Sequence, residues 1–474
     1  MKPYPEYKPT GLAWLPEIPK HWDWIMLSQI ATEQCNKNAE RTERNVLSLS
    51  YGRIIQKKNL FAGLSPQDYG TYQIISPGNI VMRLTDLQND HKSLRTGLAE
   101  MRGIITSAYT CLKTNHNPAF LHYLLHCYDI RKVFYGLGGG VRQSIGFKDI
   151  RGLRFPFPPA DEQAQIVRYL DAMTAKINKL IRAKKRQIAL LQEQKQAIIN
   201  QAVTRGLDPD VELKDSGIDW LGPIPKHWKK DKIFRLFVNI GSGTTPHNGN
   251  AFFYQNGTIP WVNSGDLYAG GKFISNIAKK VSPSALLDYS VLKLYPVNTI
   301  VIAMYGGSIG NMGILQEEAC CNQACCCLAS TRKDFFLDFA FYLLSSYKNY
   351  WIEKSNGGGQ PNISQEIIKQ TWVGLPPRSE QAEIVIYLDK KVKDFDILLK
   401  KMNGSISTLV EYKNSLIAAV VTGKVDVRNI AVEAVSAEDL APSDDPDESE
   451  EQDSLTPEET EAYMEQDLKN DGLN

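Results

Sequence analysis

The stretches GLAWLPEIPKHW (Gly11–Trp22) and GIDWLGPIPKHW (Gly217–Trp228) are two versions of one motif. Glycine, leucine, isoleucine, proline, lysine, histidine and both tryptophans coincide at an offset of 206 residues. Agreement of this kind over twelve residues is far above chance. The chain therefore contains an internal repeat, and a repeat decides how the rest of a sequence is divided.

A second match follows each copy of this entry motif at an offset of 218 residues. It begins as GGVRQSIGFKDI (Gly139–Ile150) against GGGQPNISQEII (Gly357–Ile368). It continues without a gap through PPADEQAQIVRYLD (Pro158–Asp171) against PPRSEQAEIVIYLD (Pro376–Asp389) and ends at Asp208 and Asp426.

The blocks between these matches, Asp23–Gly138 and Lys229–Asn356, share no convincing similarity. They read as mixed α+β. The stretches 78–86 and 298–307 look like buried strands, and 118–128 and 335–347 look like short amphipathic helices. A repeated frame around two different inserts indicates two readers of different targets on one scaffold.

Each Pro-Pro pair precedes a long helical segment, with Asp161 and Ser379 as the expected N-caps. Apolar residues recur at spacings of three, four and seven, as in a coiled-coil seam about 40 residues and roughly 60 Å long. Pairing two equivalent copies about a pseudo-two-fold axis would make the helices antiparallel. The expected seam comprises Ile166, Leu170, Met173, Ile177, Leu180, Ile188, Leu191 and Ile198 in the first helix, and Ile384, Leu388, Phe395, Leu398, Met402, Leu409, Leu416 and Val420 in the second.

The charge of the chain is unevenly distributed. The net charge is +1, but residues 431–474 hold 16 acidic residues and one lysine, so residues 1–430 carry about +16. A basic body suits a polyanion, because lysine and arginine neutralise phosphates. We expect the acidic tail to be disordered. No apolar run is long enough to span a membrane, and no secretory signal opens the sequence, so a cytoplasmic location is expected.

The residue patterns that would indicate catalysis or a metal are absent from the sequence. There is no phosphate-binding G-x4-G-K-[ST] loop, no HExxH, and no Asn-Pro-Pro-aromatic tetrad: Asn117-Pro118 reads as a helix start, with Asn117 as the cap. Five cysteines between Cys320 and Cys327 lack the spacing of zinc ligands and read as small buried residues. Trp14, Trp22, Trp220 and Trp228 read as packing residues.

Three classes of function remain open on these residues. The first is a DNA-binding protein with no activity of its own. The second is an enzyme, such as a fused nuclease or methyltransferase, which would need a metal or S-adenosylmethionine motif. The third is a coiled-coil adaptor unrelated to DNA, which would not need the basic body.

A resemblance favours the first class. The stretch GLDPDVELKDSGIDWLGPIPKHW (Gly206–Trp228) resembles the central region of type I restriction-modification specificity subunits, and GLAWLPEIPKHW resembles the N-terminal region of the same family. The helix starts, with Glu162, Gln163, Tyr169 and Asp171 and then Glu380, Gln381, Tyr387 and Asp389, resemble its conserved helical regions. The resemblance covers about residues 1–426.

This resemblance implies a non-catalytic subunit with two target recognition domains, each reading half of a split, asymmetric double-stranded DNA sequence. The paired helices would set the gap and dock two methyltransferase subunits, and restriction/translocase subunits would complete the complex. S-adenosylmethionine, ATP and Mg²⁺ are implied for those partners and no cofactor for this chain. The expected domains are 1–157 (recognition), 158–206 (helix), 207–375 (recognition), 376–430 (helix) and 431–474 (tail).

Polar side chains in turn-like segments of the two blocks are the candidate DNA contacts. Arginine and lysine suit guanine, asparagine and glutamine suit adenine, and other polar groups suit phosphates. The candidates are Tyr51, Arg53, Arg83, Arg142 and Gln143 in the first domain, and Thr244, His247, Asn263, Ser264, Tyr305, Gln360 and Asn362 in the second.

Overall fold

The computed structural model describes residues 2–50, 52–57, 69–87, 94–137, 145–247, 251–268, 271–274, 277–355, 361–433 and 435. The predicted disorder of the acidic tail falls on residues that lie almost entirely outside this described part. No described helix is both long enough and apolar enough to cross a membrane.

Up to the end of the first long helix, the strands are β1 (Tyr7–Leu12), β2 (Leu15–Pro19), β3 (Asp23–Met26), β4 (Thr32–Glu33), β5 (Leu47–Ser50), β6 (Arg53–Gln56), β7 (Gln73–Ile75), β8 (Ile80–Met82), β9 (Thr96–Leu98), β10 (Gly103–Ile105), β11 (Thr110–Lys113) and β12 (Arg154–Phe157). The helices are α1 (Leu27–Ile30), α2 (Pro118–Ile130), α3 (Phe147–Ile150) and α4 (Ala160–Arg205).

In the remainder, the strands are β13 (Leu213–Asp215), β14 (Pro223–Pro225), β15 (Lys229–Lys232), β16 (Phe237–Gly241), β17 (Ile259–Val262), β18 (Lys280–Val281), β19 (Ile300–Ala303), β20 (Met312–Ile314), β21 (Cys320–Cys321), β22 (Cys325–Thr331) and β23 (Trp372–Leu375). The helices are α5 (Ile233–Leu236), α6 (Pro283–Asp288), α7 (Leu337–Ser346), α8 (Lys348–Glu353), α9 (Gln365–Gln370) and α10 (Arg378–Val421).

The chain forms two compact units, and each long helix belongs to both. Unit 1 comprises the described residues of Met1–Arg186 and Asn403–Asn474, and unit 2 those of Gln187–Met402. In unit 1 the first part of α4 and the last part of α10 contribute to one hydrophobic core. In unit 2 the last part of α4 and the first part of α10 do the same.

The two units contain sheets of the same strand order, although their sequences are dissimilar. The four-stranded sheets are β4-β11-β8-β9 in unit 1 and β16-β22-β19-β20 in unit 2. In both, the first strand lies beside the fourth, and the second beside the third. All of these neighbours are antiparallel. The predicted buried strands and short helices are confirmed as β8, β19, α2 and α7, and Asn117 caps α2 as expected.

Each entry motif contacts the start of a long helix through one glutamate carboxylate. In unit 1, Glu162 accepts a hydrogen bond from Trp22 Nε1 at 3.1 Å, lies 2.9 Å from His21 Nε2, and accepts another from the Tyr4 hydroxyl. In unit 2, Glu380 accepts from Trp228 Nε1 at 3.0 Å and lies 2.8 Å from the ring nitrogen of His227. Trp22 and Trp228 are fully buried, and Trp14 and Trp220 pack against the two cores, as predicted.

The long helices begin at Ala160 and Arg378, two residues earlier than the predicted N-caps imply. The prediction that Asp161 and Ser379 are N-caps is wrong, because the carbonyl groups of Pro159 and Pro377 already accept the first intrahelical bonds. A proline is well suited to the position directly before the first helical residue, because proline has no backbone N–H that would be left without an acceptor. The side chains of Gln163 and Gln381 then donate to the carbonyls of Pro158 and Pro376.

The apolar faces of the long helices differ from the predicted seam at two positions. Leu180 and Leu398 are 54% and 42% exposed. The neighbouring Ile181 is buried in the core of unit 1 instead. A helix has 3.6 residues per turn, so a strict heptad drifts by about 20° per repeat on a straight helix, and the neighbouring residue takes the buried position.

The five clustered cysteines are buried, as predicted, and form no disulfide bond. Cys326 packs into the main core of unit 2, whereas Cys325 and Cys327 face a second core on the other side of the sheet. This alternation is expected for successive residues of a strand. Burial raises the pKa of the Cys326 thiol to about 12, so the thiol stays protonated at neutral pH.

Removing the Glu162 carboxylate leaves buried donors unpaired. We expect Glu162→Ala to lower the free energy of unfolding of unit 1 by about 3 kcal/mol, because hydrogen bonds to a charged acceptor are lost. Urea unfolding followed by tryptophan fluorescence measures this loss. The control is Glu6→Ala, since the Glu6 side chain is 65% exposed and its ion pair is with exposed Lys20. Equal unfolding midpoints for the two variants would contradict the assigned role.

Candidate nucleic-acid interface

In unit 2 the ends of several strands meet at one end of the sheets. Gly241, the last residue of β16, lies opposite Cys327, and Ala303, the last of β19, lies opposite Cys325. Val262, the last residue of β17, pairs with Cys321 in parallel. The segments after β16, β17 and β19 and the turn between β21 and β22 therefore form one group of loops.

This loop cluster, residues 242–247, 263–268, 304–309 and 322–324, holds five of the predicted DNA-contacting residues. They are Thr244, His247, Asn263, Ser264 and Tyr305. The turns Ser264–Leu267 and Gly306–Ser308 contact each other. Side chains predicted separately from three stretches of sequence are thus brought together by the strand pairing.

Hydrogen bonds hold these loops in place. The Thr244 carbonyl accepts from Trp261 Nε1 at 3.2 Å, and the His247 amide donates to the Tyr289 hydroxyl at 3.1 Å. Asn263 donates from Nδ2 to the Trp261 carbonyl and accepts at Oδ1 from the Asn322 side chain at 3.3 Å. His247 is exposed, and Thr244 and Asn263 are partly buried, so the loops present polar groups on a rigid base.

Asn362 is brought beside Tyr305 by a short backbone pairing. The two residues form an antiparallel bridge, the Gly306 amide donates to the Pro361 carbonyl at 2.7 Å, and the Ile363 amide donates to Met304. Both side chains are exposed. Gln360 lies outside the described residues. The Gly-rich segment before α9 therefore contributes at least Asn362 to the loop cluster.

Unit 1 places Arg83 by an equivalent arrangement at the end of β8. The Ile145 amide donates to the Leu84 carbonyl at 3.0 Å, as Ile363 does to Met304 in unit 2. The Arg83 amide donates to the Arg95 carbonyl. The fully buried Arg95 guanidinium donates to the carbonyls of Thr85 and Asp86. Arg95 thereby fixes the backbone that carries Arg83.

The remaining candidates of unit 1 are separated from this strand end or lie outside the description. Arg53 opens β6 and is partly buried, and burial lowers the pKa of its guanidinium. Tyr51, Arg142 and Gln143 lie outside the described residues. The structure thus places only Arg53 and Arg83 among the five candidates of the first block, at the start of β6 and after β8.

Sequence reasoning missed Asn322, Gln323 and Tyr268 as members of the loop cluster. Gln323 accepts from the Thr245 hydroxyl at 2.6 Å, and Tyr268 is 63% exposed. The signal for the first two was available, because Asn322-Gln323 is a polar pair between two runs of buried cysteines, as expected of a turn. Tyr268 carried no comparable signal.

The arrangement is suited to reading base edges and phosphates. Asparagine and glutamine side chains match the adenine edge, and hydroxyl and histidine groups bind phosphate or bases. Among the described residues, no three histidine, cysteine, aspartate or glutamate side chains are grouped so as to hold a metal ion.

Comparison with known proteins identifies the family. The model of the type I restriction modification DNA specificity domain matches residues 104–190 and 225–407, more than half of the chain. The chain belongs to the type I restriction-modification specificity subunits. Specificity subunits recognise the DNA target and are not catalytic, so the enzyme alternative and the unrelated adaptor are set aside.

Individual relatives agree with this assignment over most of their length. The chain is 20% identical to the type I restriction enzyme EcoR124I/EcoR124II specificity subunit of Escherichia coli, covering 82% of this chain and 91% of the relative. It is 25% identical to the type I restriction enzyme MjaVIII specificity subunit of Methanocaldococcus jannaschii, covering 69% and 76%.

A solved structure has a similar fold. It describes complex assembly and conformational transition of the type I R-M system. One of its chains superposes with a TM-score of 0.60 at 14% identity, over 86% of this specificity subunit and 99% of that chain. At this identity the likeness concerns the fold alone.

The loop cluster depends on a close backbone approach at Gly243. A Cβ atom there would lie 1.6 Å from the Cys321 carbonyl oxygen, so Gly243→Ala must displace the loop that carries Thr244 and His247. We expect the variant to bind target DNA about tenfold more weakly, equivalent to 1.4 kcal/mol. Fluorescence anisotropy with duplex DNA measures the loss.

The matched control for this variant is Gly265→Ala in the same loop cluster. Nothing lies within 4 Å of a Cβ at Gly265, so wild-type binding is expected. Unchanged affinity in Gly243→Ala, with its fold intact by circular dichroism, would mean that this loop does not contact DNA.

Proposed function

We propose that this specificity subunit reads a split, asymmetric DNA sequence, with each unit reading one half. The observation that carries the proposal is the shared strand order of the two four-stranded sheets, β4-β11-β8-β9 and β16-β22-β19-β20, combined with different side chains at their ends. Equal frameworks with unequal reading groups are what a non-palindromic bipartite target requires.

The residues that we assign to DNA contact are those predicted from the sequence. In the first unit they are Tyr51, Arg53, Arg83, Arg142 and Gln143. In the second they are Thr244, His247, Asn263, Ser264, Tyr305, Gln360 and Asn362, joined by Asn322 and Gln323. Support comes from the loop cluster, where polar groups from separate segments lie side by side on hydrogen-bonded loops.

The long helices are proposed to pair as an antiparallel coiled coil that sets the gap between the half-sites. Each core contains the beginning of one helix and the end of the other, which supports antiparallel pairing. Within unit 2, Lys195 Nζ of α4 bonds to Asp396 Oδ1 of α10 at 2.6 Å. A helix of 46 residues spans about 69 Å at 1.5 Å per residue, and rigid separation of reading modules defines half-site spacing.

The same helices are proposed to dock two methyltransferase subunits, with restriction/translocase subunits completing the complex. Exposed apolar residues support this proposal, since uncovered apolar side chains on a long helix mark protein interfaces. Those on the two helices include Leu180, Leu190, Ile386, Ile397 and Leu398. S-adenosylmethionine, ATP and Mg²⁺ are assigned to these partners, none to this chain, and the assembled complex to the cytoplasm.

The DNA-reading role is tested by mapping methylated bases across the genome of a host that carries this chain with its neighbouring methyltransferase subunit. We expect a split, asymmetric motif that disappears when the gene for this chain is deleted. Exchanging the block 229–356 for that of another specificity subunit is expected to change one half of the motif only. Methylation that persists after deletion would contradict the proposal.

The absence of a cofactor site in this chain is tested by isothermal titration of the purified subunit with S-adenosylmethionine. We expect no heat of binding for the subunit alone, and binding once the methyltransferase subunits are added. Tight binding of S-adenosylmethionine to the isolated chain would contradict the proposal and would favour the enzyme alternative.

A further inference from the structure

Unit 2 contains a cavity beside the second entry motif. It has a volume of about 160 Å³ and lies where the end of α4, the entry motif, the end of α7 and the start of α8 meet. A cavity of about 150 Å³ is large enough to hold one benzene ring, so a molecule with a single six-membered ring fits here. We term it the aromatic cavity, and its lining includes Asn200, Thr204, Trp220, Ser346, Tyr347 and Tyr350.

Three aromatic side chains give the cavity flat, apolar walls. The rings of Trp220 and Tyr350 stack, with centroids 3.9 Å apart and an interplanar angle of 20°. The ring of Tyr347 lies edge-on to that of Trp220, with centroids 5.1 Å apart. Trp220 and Tyr350 are partly exposed, whereas Tyr347 is buried. Such walls favour an aromatic ligand, because aromatic rings attract one another in stacked and edge-on arrangements.

The hydroxyl of Tyr347 is buried and has no hydrogen-bond partner within the described part of the chain. Burial raises the pKa of this hydroxyl, so it stays protonated and can donate a hydrogen bond at neutral pH. Most buried polar groups in folded proteins have a partner, because an unpaired one costs free energy. Since Tyr347 lines the cavity, an acceptor bound there would supply the missing partner.

The equivalent tyrosine of unit 1 already has its partner. The helices α2 and α7 share the pattern F-x-x-Y-L-L-x-x-Y, which ends at Tyr128 and Tyr347. The Tyr128 hydroxyl donates to the Arg154 carbonyl at 2.7 Å, and its ring stacks on Phe155 with centroids 4.2 Å apart. At the repeat offset of 218, unit 2 has the smaller Val373 in place of Phe155. The tyrosine is thus shared by the units, but the contacts of its ring and hydroxyl are not.

Two further lining positions are apolar and buried in unit 1. By the same alignments, Ala418 takes the place of Asn200, and Cys127 takes the place of Ser346. Ala418 is 3% exposed and Cys127 is fully buried, whereas Asn200 and Ser346 are partly exposed. Unit 2 therefore has accessible polar groups at positions where unit 1 has buried apolar ones.

The polar side chains of the aromatic cavity offer both donors and acceptors. The hydroxyls of Ser346 and Thr204 donate to the carbonyls of Leu343 and Asn200, so their lone pairs can accept from a ligand. Asn200 Oδ1 accepts from Gln196 at 2.7 Å, which leaves Nδ2 to donate. None of the described residues that line the cavity is charged. An uncharged ligand suits such a lining, because a charge removed from water needs an opposite charge beside it.

We propose that the aromatic cavity binds a small, uncharged aromatic ring that carries a hydrogen-bonding group, of the size of a pyrimidine base or nicotinamide. The ring packs against the aromatic walls, and its polar group accepts a hydrogen bond from the Tyr347 hydroxyl. A second hydrogen bond, to Asn200, fixes its orientation. Aromatic walls with a few polar groups are typical of small-molecule sites. The aromatic cavity shares no residue with the loop cluster, so this proposal does not depend on the reading of DNA.

Saturation-transfer NMR on the full-length chain tests the proposal with two uncharged probes, uracil and nicotinamide. Each is compared with an analogue that carries a carboxylate, namely orotate for uracil and nicotinate for nicotinamide. We expect saturation transfer to at least one uncharged probe, and binding of its carboxylate analogue that is weaker by about tenfold or more, because no cation lines the described part of the cavity.

The decisive variant is Tyr347→Phe, which removes only the unpaired hydroxyl. We expect the affinity for the probe to fall about tenfold, as for one lost hydrogen bond. The melting temperature of the free chain should stay the same or rise. The matched control is Tyr128→Phe, which removes the hydrogen bond to Arg154 in unit 1. It should lower the melting temperature and leave the affinity for the probe unchanged.

A second variant, Asn200→Ala, gives unit 2 the residue that unit 1 has at this position and should also weaken binding of the probe. The proposal is overturned if neither uncharged probe binds, or if a probe binds the wild type, Tyr347→Phe and Asn200→Ala equally well. A melting temperature lowered as much by Tyr347→Phe as by Tyr128→Phe would likewise contradict it, since the hydroxyl would then be bonded within the protein. None of these measurements contains DNA, so their outcome is independent of the proposed function.

Discussion

The structure of each unit depends on one carboxylate at the start of a long helix. Glu162 and Glu380 each bond to a tryptophan and contact a histidine of the entry motif. The adjacent Gln163 and Gln381 donate to the carbonyls of Pro158 and Pro376, each directly after the strand that leads into the helix. These contacts join the entry motif, the last strand of the globular block and the helix. Glu162 is buried, and a buried carboxylate is costly unless its partners are present, so in unit 1 the three elements must assemble together.

The repeated frame was predictable from the sequence, since residues such as Trp22 and Gln163 recur at fixed offsets and make the same contacts in both copies. Finer local features were not. Asp161 looked like a cap, but the Pro159 carbonyl starts the helix, and Leu180 fitted a heptad that a straight helix does not keep. The loop cluster was predictable only in part. Several of its residues were chosen for their turn-like surroundings, but only the pairing of distant strands brings Asn263 beside Asn322.

The two units show how one backbone carries different chemistry. The Tyr–Asp bond between the globular block and the helix is present in both, as Tyr123–Asp171 and Tyr342–Asp389. Around it, unit 1 has His122 and His126, and Lys413 bonds to the Asn178 side chain, whereas in unit 2 Lys272 bonds to Asp389 at 3.1 Å. The contact that both units share is thus separate from the polar groups that differ around it.

The segment after α10 lies against the segment before β1. The Asp426 amide donates to the Lys2 carbonyl at 3.0 Å, and the Tyr7 hydroxyl donates to Gly423. At the equivalent place in unit 2, a covalent linker joins the end of α4 to β13. The segments that precede β1 and follow α10 therefore lie side by side in unit 1. A gene opened at the linker and joined between these neighbouring segments would encode a circular permutant with the same contacts, so the order of the two halves along the chain is not fixed by the fold.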